Sequence, residues 1–448
     1  MKPNALPRNT AEKLVPGPYV RGELGSVRNA ETLVNVVLAT LFAGMPLFFI
    51  LITYLRQDPE LVFVGVWAIV GIFAIFAEYS IRARKGINAF QFCALLLPVI
   101  GIPGLLMQRP SLTILALTLG YLLVLFLRII SVFITIPKLM ETLKTPPTEI
   151  LLFWLITSCL IVSASTNLFY LGNGFHILRS TRGAFPNWLH PNNAAIYGGL
   201  LMVLPLIKER MNTWMRPLII LCGFYTVLVT QSRGTLVAAI GCILLIMFLK
   251  FAENPQKYSL RAFALLVSGG LISIVFGAVI PDIPVIKNML DRTTETDDPT
   301  AGRLLIFERM LEVWRDSPVV GYGFRSGGMD NGFVSITFQT GLVGLVFYLS
   351  FWAAILFRAV YIYRNGNQMS RLLARFIFVT ATFLFLRAFI ENTHLLQLTD
   401  VVSNAFCIAA GLSFLMKAEP KRTSGVARTH LQIRAPKADP TPTPAPVE

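Results

Sequence analysis

The stretch SLTILALTLGYLLVLFLRIISVFITI, Ser111 to Ile136, decides the fold class. It carries one charge, Arg128, in 26 residues. Wound as a helix at about 1.5 Å per residue it reaches roughly 39 Å, and the hydrocarbon core of a bilayer is about 30 Å thick. A segment of this length and character reads as a transmembrane helix.

Comparable runs recur on both sides of it. The expected spans are Leu33–Leu55, Leu61–Ala77, Ala89–Met107, Ser111–Ile136, Ile150–Tyr170, Ala194–Ile207, Pro217–Thr230, Thr235–Phe251, Ala262–Ile280, Gly332–Phe357, Leu372–Ile390 and Val401–Met416. The sixth and seventh hold only about 14 residues each, so they either extend into polar flanks or are half-helices. Over the whole chain of 448 residues, 54% are hydrophobic and 14% charged. A soluble domain carries about 25% charged residues. The balance excludes a disordered chain and an ordinary cytosolic enzyme. The fold class expected is all-α: a polytopic membrane protein with about twelve transmembrane helices and a large outer loop that contains an amphipathic helix.

The charge pattern orients the bundle. Lys plus Arg number 39 against 24 Asp plus Glu, a formal charge of +15. In a soluble chain this would suggest nucleic acid; here the collection of Lys and Arg in cytoplasmic loops accounts for it. With both termini inside, the inner segments, counted with Lys250 and Arg375 at the inner ends of their spans, carry 26 basic residues and the outer loops 11, while Arg128 and Arg387 fall within spans. Arg128 lies towards the inner end of the fourth span, where snorkelling to the headgroups is the simpler reading. Of the 11 outer residues all but Lys287 are Arg. Arginine is a good interface residue, and its planar fork of donors also matches phosphate oxygens.

No cleavable signal peptide is expected, because the first apolar run begins near Leu33 and is too long for an h-region. Cys93, Cys159, Cys222, Cys242 and Cys407 lie in apolar runs and read as packing residues. The four His show no metal-ligand spacing, and no nucleotide-binding motif is present, so no metal, no cofactor and no nucleic-acid partner is expected. Any chemistry on the outer face would draw on an activated donor already in the membrane.

Four clusters hold the candidate site residues. The first, Arg182 to Asn193, precedes the sixth span; Asn192 and Asn193 can cap that helix, and a helix N-terminus beside Arg182 suits an anion. His190 reads more simply as a loop residue. The second is Gln231-Ser232-Arg233-Gly234, a tight turn in which Arg233 either snorkels or faces a polar cavity, and Gly234 eases the turn. The third follows an amphipathic helix, Gly302 to Arg315, led by Arg303 with Leu304, Phe307, Leu311 and Trp314 on one face. It comprises Pro318 to Arg325, including Tyr322, and then Asp330 and Asn331. Asp330 is either a base for an acceptor hydroxyl or an N-cap for the tenth span. The fourth is Arg387, Glu391 and His394, where Arg387 and Glu391 share a helix face and can form an ion pair. Asp297-Asp298 reads as a solvated acidic turn.

Taken in order, these elements resemble the O-antigen ligase / O-antigen polymerase superfamily. The resemblance rests on about twelve spans and on Arg182, Gly183, Phe185, Pro191 and Asn192 before the sixth. It rests equally on the Ser232-Arg233-Gly234 turn, the large loop with its Arg-led helix, and Pro318, Gly321, Tyr322 and Gly323. It covers roughly Leu33 to Met416. What it implies is a membrane-embedded, metal-independent, inverting glycosyltransferase at the periplasmic face of a bacterial inner membrane. The implied donor is a glycan on undecaprenyl diphosphate and the implied acceptor a saccharide hydroxyl. A chain-length regulator and a flippase are the further partners it suggests. Arg182 and Arg233 match positions where the family places diphosphate-holding arginines. With Asp330 they form the expected catalytic set, while Arg303, Asn192, Tyr322, Arg325, Arg387, Glu391 and His394 are expected to bind substrate. Ligases of the family usually carry a His-Asn pair after the Gly-Tyr-Gly element, and this chain has Asp330-Asn331 there. The departure favours an exopolysaccharide or O-antigen polymerase over a lipid A core ligase. A transporter or flippase is the rival class.

The organisation expected is a cytoplasmic tail at 1–32, nine spans over 33–280, a periplasmic loop at 281–331, three spans over 332–416 and a disordered cytoplasmic tail at 417–448.

Overall fold

The computed structural model describes residues 31–47, 67, 69–71, 87–108, 110–141, 143, 145–172, 191–208, 211–230, 232–256, 303–324, 331–389 and 401–416. Every regular element among them is helical. In chain order these are α1 (Glu31–Leu47), α2 (Ala89–Leu96), α3 (Ile102–Met107), α4 (Leu112–Glu141) and α5 (Pro147–Gly172). Next come α6 (Pro191–Ile207), α7 (Met215–Thr230), α8 (Arg233–Glu253) and α9 (Arg303–Trp314). The last are α10 (Gly332–Asn365), α11 (Gln368–Ala388) and α12 (Val401–Leu415). Five of the described helices are long and apolar enough to cross a membrane: α4, most of α5, α8, α10 and α11. The expected spans Leu61–Ala77 and Ala262–Ile280 fall mainly or wholly outside the described residues.

The third expected span is not one helix. α2 starts with a reciprocal cap, in which Asn88 Oδ1 accepts from the Gln91 amide at 2.8 Å and the Asn88 amide donates to Gln91 Oε1 at 3.1 Å. It stops at Leu96 and the chain turns before α3. Pro98, Gly101 and Pro103 fall in and just after this break, where continuous helical hydrogen bonding would need amides that proline lacks.

The fourth expected span runs further than its sequence suggested. The expected span stopped at Ile136, yet α4 continues past Pro137 to Glu141 through a π-helical segment, Ile130–Thr135. Pro137 has no N–H, which would leave the Phe133 carbonyl without its helical donor. Gln91 Nε2 donates to that carbonyl at 3.3 Å from α2. Gly411 of α12 lies against the same place: a Cβ there would sit 2.5 Å from the Phe133 oxygen and 2.6 Å from Pro137 Cγ.

The longer helix also corrects the reading of Arg128. Thirteen residues, about 20 Å of helix, separate it from Glu141, too far for snorkelling. Its side chain is fully buried. Nε donates to Asn404 Oδ1 at 2.7 Å and Nη2 to Ser403 Oγ at 3.0 Å, and the guanidinium lies 5.9 Å from the centre of the Trp67 ring. Polar contacts between helices, where no water competes, tie α4 to the almost wholly buried α12.

α8 and α11 are antiparallel neighbours. At one end Arg375 forms an ion pair with Glu253, whose Oε1 also accepts from the Tyr363 hydroxyl at 2.8 Å. Basic side chains at that end meet helix C-terminal carbonyls, as the helix dipole favours. Lys250 Nζ donates to Leu206 O at 3.0 Å, and Arg358 donates to Ser413 O at 2.8 Å and to Met416 O at 2.5 Å. The candidate site lies at the opposite end.

α10 is broken. Gly341 adopts φ 65°, ψ −168°, a conformation essentially confined to glycine. The carbonyls and amides released by the break are taken up by the chain after α9. The Tyr322 amide donates to Phe338 O at 2.9 Å and the Gly323 amide to Gln339 O at 2.7 Å. The Leu342 amide donates to Pro318 O at 2.9 Å and the Val343 amide to Val319 O at 3.2 Å. Gly321 and Gly323 also have positive φ, 67° and 84°. From α3, Gly104 approaches so closely that a Cβ would lie 2.7 Å from the Gly321 and Val320 oxygens. The Pro-x-x-Gly-Tyr-Gly element is thus a backbone plug for a broken helix.

Candidate active site

The site is built where helix ends meet around the start of α8. Thr230 ends α7, and α8 begins at Arg233 after the Ser232 N-cap residue. The Ser232 side chain does not cap the helix. Its hydroxyl instead pairs with Thr235 Oγ1 at 3.0 Å. The first-turn amides of α8 therefore keep their outward direction at the positive end of a 21-residue helix. Arg233 stands in that turn, half-buried. Gly234, expected to form the turn, is a buried helical residue just past it.

Arg387 comes to this place from α11. Its side chain is fully buried, and Nη1 donates to Thr235 Oγ1. Two guanidinium-bearing residues thus belong to one helix terminus, Arg233 by sequence and Arg387 by contact. The expected ion pair of Arg387 with Glu391 lies outside the described residues, and α11 itself ends at Ala388. α6 closes the other side. Its Gly199 lies against Thr235 and Phe383, with a Cβ there 2.5 Å from Thr235 Cγ2.

Asn192 lies in the first turn of α6 and is buried. The helix begins at Pro191, whose fixed φ suits a first helical position. Asn192 and Asn193 are therefore inside the helix rather than capping it.

α10 reaches the same end through its cap. Asn331 Oδ1 accepts from the Phe333 and Val334 amides, each at 3.0 Å, and Asn331 Nδ2 donates to Phe389 O at 2.9 Å. The cap of the tenth span is thus Asn331, not Asp330. Sequence reasoning had given Asn331 no role, although an Asn directly before an apolar run is the ordinary cap signal. Thr235 was missed too; its sequence signal is only that it follows the Ser-Arg-Gly turn.

Tyr322 is engaged in holding its loop. Its hydroxyl donates to Val313 O at 2.5 Å, at the end of α9, and its ring stacks on Phe338 at 4.8 Å. Burial, and after it the Asp316 carboxylate, push the Tyr322 phenol above its ordinary value. α9 occupies nearly the expected stretch, and Leu311 on its apolar face is 53% exposed. Arg303 begins α9. Arg182, Arg325, Asp330, Glu391 and His394 lie outside the described residues, as does Asp297-Asp298. Among the described residues no group of three or more His, Cys, Asp or Glu is placed to hold a metal ion.

The arrangement offers backbone N–H groups, a helix dipole and guanidinium groups at one terminus, a combination suited to binding an anion. No curated protein matches the chain at a significant level. Residues 218–349, from α7 through the break in α10, match the family model described as O-Antigen ligase; over that stretch, which includes the Ser-Arg-Gly turn and the Gly-Tyr-Gly plug, the match agrees with the O-antigen ligase / O-antigen polymerase superfamily.

Proposed function

We propose that the protein is an inner-membrane glycan polymerase or ligase that transfers a saccharide from undecaprenyl diphosphate to an acceptor sugar hydroxyl on the periplasmic face. The observation that carries this reading is the terminus of α8, where Arg233 stands among outward-directed amides and the buried Arg387 bonds Thr235. A diphosphate leaving group develops charge on its bridging oxygen as the anomeric C–O bond breaks. Donors already aimed at that position stabilise it without reorganising. In this reading Arg233, with Arg182 and Arg303, holds the diphosphate. The acceptor oxygen attacks the anomeric carbon from the opposite face, which inverts it, and Asp330 takes the hydroxyl proton. Much of the acceleration then comes from positioning two lipid-confined partners. No metal is needed, because the arginines supply the positive charge.

Polymerisation of an exopolysaccharide or O-antigen is the favoured outcome, because Asp330-Asn331 stands where ligases of the superfamily usually carry His-Asn. The match to the O-Antigen ligase family favours the other outcome, ligation, for which the acceptor would be lipid A core.

The test is transfer by purified protein in proteoliposomes, given a lipid-linked oligosaccharide and an acceptor glycan without nucleotide. The expected result is product with wild type and none with Arg233→Lys or Arg182→Ala at equal expression. Normal transfer by both variants would refute the diphosphate grip. Movement of the lipid-linked sugar across the bilayer with no new glycosidic bond would establish the transporter class instead.

A further inference from the structure

Arg387 was expected to touch substrate. Its contacts point to a different task. Its guanidinium is fully buried, and Nη1 is spent on the Thr235 hydroxyl. Thr235 in turn pairs with Ser232 at 3.0 Å, across the two residues Arg233 and Gly234. The Thr235 side chain is fixed from two sides. Its methyl faces Gly199 of α6, where even a Cβ would meet it at 2.5 Å, and its hydroxyl faces Arg387 and Ser232. A β-branched residue in a helix has few χ1 choices, so this packing leaves one orientation. The post to which it is tied is fixed as well. The turn after Arg387 supplies the Phe389 carbonyl that accepts from Asn331, the cap of α10.

We infer that Arg387 and Thr235 are positioning residues: the end of α11 braces the Ser232–Thr235 turn and thereby aims Arg233 and the first-turn amides of α8 at a lipid-linked diphosphate. The brace rests on the reading in which Arg233 grips that diphosphate. Held at both ends by Ser232 and Thr235, the turn fixes the backbone from which the Arg233 side chain projects. The ordering cost is met on folding and not on binding, which is how preorganisation strengthens a contact. A hydrogen bond from a charged donor is among the stronger ones, so removing the Thr235 hydroxyl releases the turn.

The test uses the full chain in nanodiscs with undecaprenyl diphosphate alone as the probe, so that no sugar need be known. Thr235→Val keeps the methyl groups against Gly199 and deletes the hydroxyl. Measured well below the thermal midpoint, which should itself fall because the buried Arg387 loses an acceptor, it should weaken binding about ten-fold, while Thr235→Ser, which keeps the hydroxyl, should stay within about three-fold of wild type. The effect passes through Arg233, so in an Arg233→Ala background Thr235→Val should change binding by less than about two-fold. Arg387→Lys keeps the charge and loses the geometry, and it carries the same test should Thr235→Val fail to fold. Wild-type binding by Thr235→Val, or an equal loss with and without Arg233, would overturn the brace. Wild-type binding by Arg233→Ala itself would overturn the diphosphate reading and the brace with it. Weak binding by Arg233→Ala beside normal binding by Thr235→Val would overturn the brace alone.

Discussion

A methyl group on Gly341 should undock the plug from the broken helix. The Cβ of Gly341→Ala would fall 2.2 Å from the Val319 oxygen and 2.5 Å from the Val320 nitrogen. Both are backbone atoms, so no side-chain rotation relieves the overlap. The residue would also hold φ 65° with ψ −168°, which costs a non-glycine residue on the order of 1–3 kcal/mol. The chain can escape by releasing Pro318 to Gly323 and losing the four hydrogen bonds that join it to Phe338, Gln339, Leu342 and Val343. At about 0.5–1.5 kcal/mol net each, those bonds hold the plug by roughly 2–6 kcal/mol. Strain and overlap together reach that range, so local opening is the expected response. The assay is amide hydrogen exchange of the peptide covering 318–324 in nanodiscs. Protection of the Tyr322 and Gly323 amides should fall by about a hundred-fold, the equivalent of about 3 kcal/mol. Gly120→Ala is the control, since a Cβ there meets nothing within 4 Å. Equal protection in Gly341→Ala and wild type would refute the reasoning.

Four further outcomes follow from the same structure. Gln91→Leu keeps the side-chain bulk but removes the donor to the Phe133 carbonyl behind Pro137; it should destabilise the bundle by about 1–3 kcal/mol, read as a lower thermal midpoint in detergent. Asn331→Ala removes the α10 cap and the tie to Phe389; a loss of about 1–2 kcal/mol and faster exchange at Phe333 and Val334 should result. Arg128→Leu should lower the yield of folded protein sharply, by on the order of 3 kcal/mol, because it strips donors from the buried Asn404 and Ser403; folding as good as wild type would show that the contact is dispensable. The Tyr322 phenol is raised by burial and by Asp316. Loop docking should therefore hold at full strength below the ordinary phenol value of about 10 and weaken as pH climbs through the raised one. Tyr322→Phe should abolish that dependence.

Much of the bundle was legible because a bilayer leaves few options to an apolar run. The runs at Ser111, Gly332 and Val401 begin within a residue of the helices found there. Departures occur where one segment supplies what another lacks. Pro137 reads as a stop unless Gln91, far away in sequence, satisfies Phe133. Gly341 lies inside one expected span, Gly332–Phe357, and the segment that fills its break, Pro318 to Gly323, comes from the loop before that span. Arg128 was assigned to the headgroups because its partners, Ser403 and Asn404, are some 275 residues downstream. At the candidate site the turn at Ser232 was visible as a turn. That Thr235 and Arg387 support it was not, since a hydroxyl in an apolar helix carries no sign of its partner.

The central claim is that a lipid-linked diphosphate rests at the first turn of α8. A polyprenyl diphosphate carrying a photoreactive group next to its phosphates, crosslinked to the full protein in a native-like bilayer and mapped by mass spectrometry, tests it most directly. The account predicts labelling concentrated in the peptide around Ser232 to Thr235 and competed away by unlabelled undecaprenyl diphosphate. Labelling confined to other helices, with the α8 terminus untouched, would contradict it.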